Sequence, residues 1–224
     1  MRARQTKKLL QIILLTSVFL FFNQAITIKI PITRSGSVNI PVKLNSFISF
    51  NDDYAVQPEQ ITISQFVNTV SDGQSESIRG VYVTNVFALK VVQQPSSNAG
   101  YVSTDDDVAT QFRMAKKYNT IGLLAHNTAA GQYFSDLTYG NIIEIIYGDG
   151  DIDFYKVEEI YQYQALSPNS SFSDFTDLVT GETYSAADVF YQMYSGDPHV
   201  TLQTCIQKNS VDSWGRLFII AYPL

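Results

Sequence analysis

From Thr27 to the C-terminus, β-branched and aromatic residues recur in short runs, each bounded by Gly, Asn, Asp, Ser or Pro. The pattern predicts an all-β domain, because such side chains suit a pleated, half-buried surface and the bounding residues supply turns. The expected strands are Thr27–Ile32, Val38–Leu44, Gly80–Val91, Thr120–Ala125, Ile142–Tyr147, Asp153–Tyr163, Val200–Cys205 and Arg216–Ala221. The plainest hairpin runs from Ile142–Tyr147 through Gly148-Asp149-Gly150-Asp151 into Ile152–Ile160, with glycines where a tight reversal needs positive φ. Two stretches read as helices instead. They are Asp105–Tyr118 and Ser185–Tyr194, the second with Ala186, Ala187, Val189, Phe190 and Met193 at helical spacing behind Ser185 as N-cap. Residues 33–79 are more polar and lack a strong period, which suggests an extension or stalk, and no internal repeat points to a solenoid or propeller.

The N-terminus follows another rule. Arg2, Arg4, Lys7 and Lys8 precede an uncharged run from Leu9 to Phe22, which reads as an export signal. Cleavage after Ala25 and an uncleaved anchor extended by Ile26, Ile28 and Ile30 are both open. The expected organisation is therefore 1–25 as signal peptide or membrane anchor, 26–79 as N-terminal extension and 80–224 as the β domain. That arrangement puts the domain outside the cytoplasm, at the extracytoplasmic face of the membrane or the cell surface.

Composition narrows the partners. The chain is 45% hydrophobic and 13% aromatic, enough apolar surface for one packed core, and its formal charge of −6 offers no basic stripe for a phosphate backbone. Nucleic acid is not an expected partner. A lone cysteine, Cys205, cannot form an internal disulfide, so it is a packing residue, an intermolecular partner or a nucleophile.

Three residues carry the candidate chemistry. Cys205 ends the run Thr201-Leu202-Gln203-Thr204-Cys205, Arg216 opens the next run, and His126 closes Ile121-Gly122-Leu123-Leu124-Ala125. A thiol attacks as thiolate, which a neighbouring cation favours. Arginine stays protonated and cannot serve as a base, so beside a nucleophile it suits an oxyanion, while histidine can pass protons both ways. His199, the other histidine, stands six residues before Cys205, a distance of roughly 20 Å along an extended strand. It is expected at a rim or loop.

The order His, Cys, Arg and the segment Thr-Leu-Gln-Thr-Cys resemble the sortases, cysteine transpeptidases of the bacterial cell surface, whose pattern is Thr-Leu-x-Thr-Cys with an arginine on the following strand, here in Trp214-Gly215-Arg216-Leu217. The resemblance extends over roughly residues 80–224. Tyr133-Phe134-Ser135-Asp136-Leu137, Gly140 and the Gly148–Asp151 hairpin look like that family's strands between histidine and cysteine. It implies a closed eight-stranded β-barrel with one or two short helices, His126, Cys205 and Arg216 as catalytic residues at neighbouring strand ends, and Thr204 in contact with substrate. It further implies a sorting-signal peptide cleaved between Thr and Gly, and an amine acceptor on the cell wall or on another protein. Two features depart from the pattern: Ala125 rather than glycine precedes His126, and the connection from Pro168 to Tyr184 is long.

No cofactor is expected. Asp105-Asp106-Asp107 and Asp149/Asp151 are the candidates for calcium, but the spacing fits no EF-hand loop, and a helix start and a turn explain them. The competing expectation is an exported barrel that binds a surface partner without catalysis, marked by a buried, unreactive thiol. An L,D-transpeptidase would need a Ser-His-Gly-Cys signature, which Gln203-Thr204-Cys205 lacks.

Overall fold

The computed structural model describes residues 61–170 and 172–224. The expected export segment and the strands Thr27–Ile32 and Val38–Leu44 lie outside the described residues.

Helix α1 (Ile63–Val70) opens the described chain, started by Thr62 and Gln65 in a reciprocal capping box. The sequence reading gave this stretch no structure, yet α1 presents Phe66 and Val70 to Tyr82 and Ile146. Gly80 makes that contact possible, since a Cβ there would sit 2.9 Å from the Phe66 ring. Where one long strand over Gly80–Val91 was expected, the chain turns back on itself. β1 (Ile78–Val83) and β2 (Phe87–Gln93) form a hairpin, with Asn85 at φ 62° in the turn. Asparagine tolerates that left-handed conformation, which lets a polar side chain break an otherwise apolar run.

The helix expected over Asp105–Tyr118 is also corrected. Val108–Gln111 is strand β3, parallel to β2 and antiparallel to β4 (Ile121–Leu124), and only Ala115–Tyr118 is helical, as a 3₁₀ turn ended by Asn119 at φ 60°. The ring needs a strand there, and the ladder bonds to two neighbours outweigh the apparent helical spacing. The aspartates before it form a turn, Val108 N donating to Asp105 O, and Asp107 pairs with Lys90 at 3.0 Å. Tyr133–Leu137 is likewise no strand. Ala130–Asp136 is a 3₁₀ helix that drives Phe134 into the core against Phe87.

The expected hairpin is present as β5 (Ile142–Tyr147) and β6 (Ile152–Ala165), with Gly150 at φ 95°. Two short strands, β7 (Phe175–Asp177) and β8 (Thr183–Tyr184), extend from β6, and α2 (Ala186–Tyr194) follows with Ser185 as N-cap. β9 (Val200–Lys208) and β10 (Val211–Pro223) complete the chain. Strand order β10-β9-β4-β3-β2-β1-β5-β6, closed by pairing of β10 with β6, makes an eight-stranded barrel. The fold is mainly β, as expected.

Alternation along the strands separates two cores. Val81, Leu89, Leu123, Ile143, Leu202 and Leu217 fill the barrel. Phe218, Ile220, Tyr163 and Leu124 face outward under Phe175, Phe190 and Tyr194, contributed by β7 and α2. β9 and β10 are covered on both faces, so every residue over 200–205 and 215–221 is buried. Continuous apolar sequence such as Leu217-Phe218-Ile219-Ile220 is what a doubly covered strand requires.

Candidate active site

Val200 and Leu202 belong to the barrel interior, so the pleat directs Thr204 inward and Thr201, Gln203 and Cys205 outward. Arg216 is the cross-strand partner of Cys205 in the antiparallel β9–β10 ladder, and the two share a face. On the other side of β9, Leu124 is level with Gln203 in parallel register, and Ala125 N donates to Gln203 O at 3.2 Å. His126 and Cys205 each stand two residues beyond that last pair, so the same register carried past the end of β4 would bring them level. Cys205 and Arg216 are thus cross-strand neighbours, about 4.8 Å apart as adjacent strands lie, while His126 follows the end of β4 on the opposite side of β9.

Arg216 is only 1% exposed. Its Nη1 donates to the carbonyls of Ser213 at 2.9 Å and Gly215 at 2.8 Å, and its guanidinium lies 6.0 Å from the Phe175 ring centre. The Trp214 ring two residues away is covered by Lys208, whose Nζ sits 4.4 Å from its centre.

Electrostatics correct one expectation. Burial pushes the Cys205 thiol above its ordinary 9.0, outweighing the opposite pull of Arg216, and the Asp212 carboxylate pushes the same way as burial. Cys205 is 5% exposed. The sulfur therefore rests as a neutral thiol at neutral pH rather than as thiolate. Burial also holds His126 below its ordinary 6.5, opposed by a hydrogen bond with the Val102 backbone.

A pocket of about 310 Å³ opens here, lined by Asn127, Gly131, Gln132, Thr204, Cys205 and Gln207 among others. Thr204 Oγ1 is buried and has no hydrogen-bond partner among the described residues. Gly131 is required at this point, since any Cβ would collide with Thr204 Oγ1 and with the carbonyls of Ala125 and His126. Its own N–H donates to His126 O at 2.9 Å and so shapes the loop after β4. Gly131, Gln162 and Asn127 escaped sequence reading. Only Asn127, adjacent to His126, carried any signal there.

His199 lies apart. It is buried at the bend before β9, its Nδ1 at 2.7 Å from Asp197 O and its Nε2 at 2.9 Å from Met193 O, tying α2 to the strand. Among the described residues no three His, Cys, Asp or Glu side chains are grouped to hold a metal ion. Asp149 and Asp151 form a turn, Asp151 N donating to Asp149 Oδ1. No helix of the described residues is long and apolar enough to cross a membrane.

No family model and no curated protein matches the chain. Solved structures similar to it include sortase A from Listeria monocytogenes, at 14% identity over 66% of this chain and 87% of that one, TM-score 0.41. Sortase C-1 from Actinomyces oris is similar at 10% identity over 76% of this chain and 84% of that one, TM-score 0.45. Sortase A from Corynebacterium diphtheriae is similar at 13% identity over 66% of this chain and 60% of that one, TM-score 0.44. Likeness this remote concerns fold alone and says nothing of activity.

Proposed function

We propose that the chain is an exported sortase-type cysteine transpeptidase, with Cys205 as nucleophile, His126 as proton carrier and Arg216 as oxyanion stabiliser. The observation that supports this reading is the pairing of Arg216 with Cys205 across β9 and β10, with Cys205 and the buried, unpartnered Thr204 hydroxyl lining one pocket and His126 just past the end of the adjoining β4.

The chemistry follows from the protonation states. His126, neutral, takes the thiol proton as Cys205 Sγ attacks the carbonyl carbon of a peptide bond. Negative charge then develops on the carbonyl oxygen near a guanidinium that its bonds to two carbonyls hold in one plane. The imidazolium returns its proton to the departing amine as the C–N bond breaks, leaving a thioester. An acceptor amine reverses the sequence, forming a new amide and restoring the thiol, while water in its place gives hydrolysis. Thr204 Oγ1 would meet a polar group of the bound peptide, and the substrate would be a protein bearing a sorting signal. The N-terminal segment would hold the enzyme at the membrane if uncleaved.

A second reading has its own observation. A thiol 5% exposed and held neutral by burial also suits an exported barrel that binds a partner without catalysis. Incubation of the full chain with a peptide library and an amine, followed by mass analysis of Cys205, separates them. A thioacyl adduct on Cys205 that disappears in Cys205→Ala, with the variant folded by circular dichroism, supports the transpeptidase. Absence of any adduct supports the binding module.

A further inference from the structure

We propose that Asp212 selects a cationic amine as acyl acceptor, its carboxylate holding the ammonium group of the incoming nucleophile at the mouth of the Cys205 pocket. The proposal rests on the acyl-transfer reading above and adds the chemistry of its second substrate.

Asp212 stands near the start of β10, four residues before Arg216, and is exposed. Its position is fixed from two directions. Its main-chain oxygen accepts from Asn127 Nδ2 at 3.1 Å, and its Oδ1 accepts from Gln207 Nε2 at 2.6 Å. Asn127 and Gln207 both line the pocket that holds Cys205, one from the loop after His126 and the other from β9. An exposed carboxylate ordinarily samples many rotamers, whereas this one is tethered beside the cysteine.

Two further facts give the tether a purpose. Among the described residues no Lys or Arg forms an ion pair with Asp212, and Lys208 of the same hairpin is engaged over Trp214. The charge of Asp212 is also felt at Cys205, where it opposes ionisation of the thiol. That opposition hinders acylation, so the carboxylate is a liability in the first half-reaction. In the second half-reaction it becomes useful, because an amine arrives at neutral pH mostly as ammonium. The carboxylate attracts the cation, neutral His126 takes one proton from it, and the freed amine attacks the thioester carbon. The C–S bond breaks as the C–N bond forms, and the second nitrogen proton passes to Cys205 sulfur. Protons and charge balance, since the ammonium charge ends on the imidazolium.

The test separates the two half-reactions in the full chain at neutral pH. The acyl donor is p-nitrophenyl acetate, and the acceptors are glycinamide, largely cationic, and hydroxylamine, largely neutral. In Asp212→Asn, acetyl transfer to glycinamide should fall about tenfold more than transfer to hydroxylamine, and Asp212→Glu should restore much of the difference. Equal changes for both acceptors would overturn the proposal while leaving acyl transfer standing. If the native chain forms no acetyl-Cys205 at all, the transferase reading falls and this proposal with it.

Discussion

At the start of β9, buried polar groups are all engaged. Thr201 Oγ1 donates to Met193 O at 2.6 Å, Tyr194 OH donates to Gln203, and both nitrogens of His199 meet backbone carbonyls. Three residues beyond Thr201, Thr204 Oγ1 is as deeply buried and meets no partner among the described residues, and Cys205 next to it is acted on in opposite directions by the charges of Arg216 and Asp212. One strand thus contains a polar cluster completed by the fold and another left incomplete by it. An unsatisfied buried hydroxyl costs about 1–3 kcal/mol, so each such group in a folded chain calls for a physical reason. Burial alone does not separate the two threonines, since Thr201 and Thr204 are both buried.

The comparison breaks first at Arg216. Arg216→Ala should lower formation of the thioacyl adduct about 10²–10³-fold, as expected when a transition-state charge loses its partner. It should also destabilise the fold by about 3 kcal/mol, because two hydrogen bonds from a charged group are lost. Arg216→Lys, which keeps the charge, should recover part of the stability and less of the rate. Adduct kinetics and urea unfolding on the same samples read both effects. The paired threonines give a smaller, crossed effect. Thr201→Val should cost about 1–2 kcal/mol and leave acylation near native, whereas Thr204→Val should leave stability level or slightly raised and slow acylation about tenfold. If both valine variants lose stability alike, the two threonine sites on β9 do not differ in the way described.

How much of this was legible in the sequence differs between fold and site. β4, β5, β6, β9, β10 and α2 were readable because each is a run rich in β-branched and aromatic residues, or a capped helix, between recognisable turns. The β1–β2 turn was not, because Thr84-Asn85-Val86 breaks the pattern with only one turn-forming residue. The strand at Val108–Gln111 was hidden for another reason: four residues are too few for a period, and its partners are remote in sequence. Of the site, the residue types and their order were visible. The upward pull of burial on the thiol was not, because the burial of Cys205 depends on packing that no local motif records. Asp212 was invisible for the same reason: only the cross-pocket bonds from Asn127 and Gln207 give it a place.

The most direct test of the His126–Cys205–Arg216 assignment is kcat/KM against pH, for a peptide amide drawn from the library experiment. His126, its value lowered, must be deprotonated to accept the thiol proton, so activity falls as pH drops through a value below 6.5. Cys205, its value raised, must start protonated for the leaving amine to receive that proton, so activity falls again as pH rises through a value above 9.0. The expected profile is a bell with a broad top between those limits, its acid limb absent from the residual activity of His126→Ala. A profile that climbs with thiol ionisation alone, and is the same in His126→Ala, would contradict the assignment.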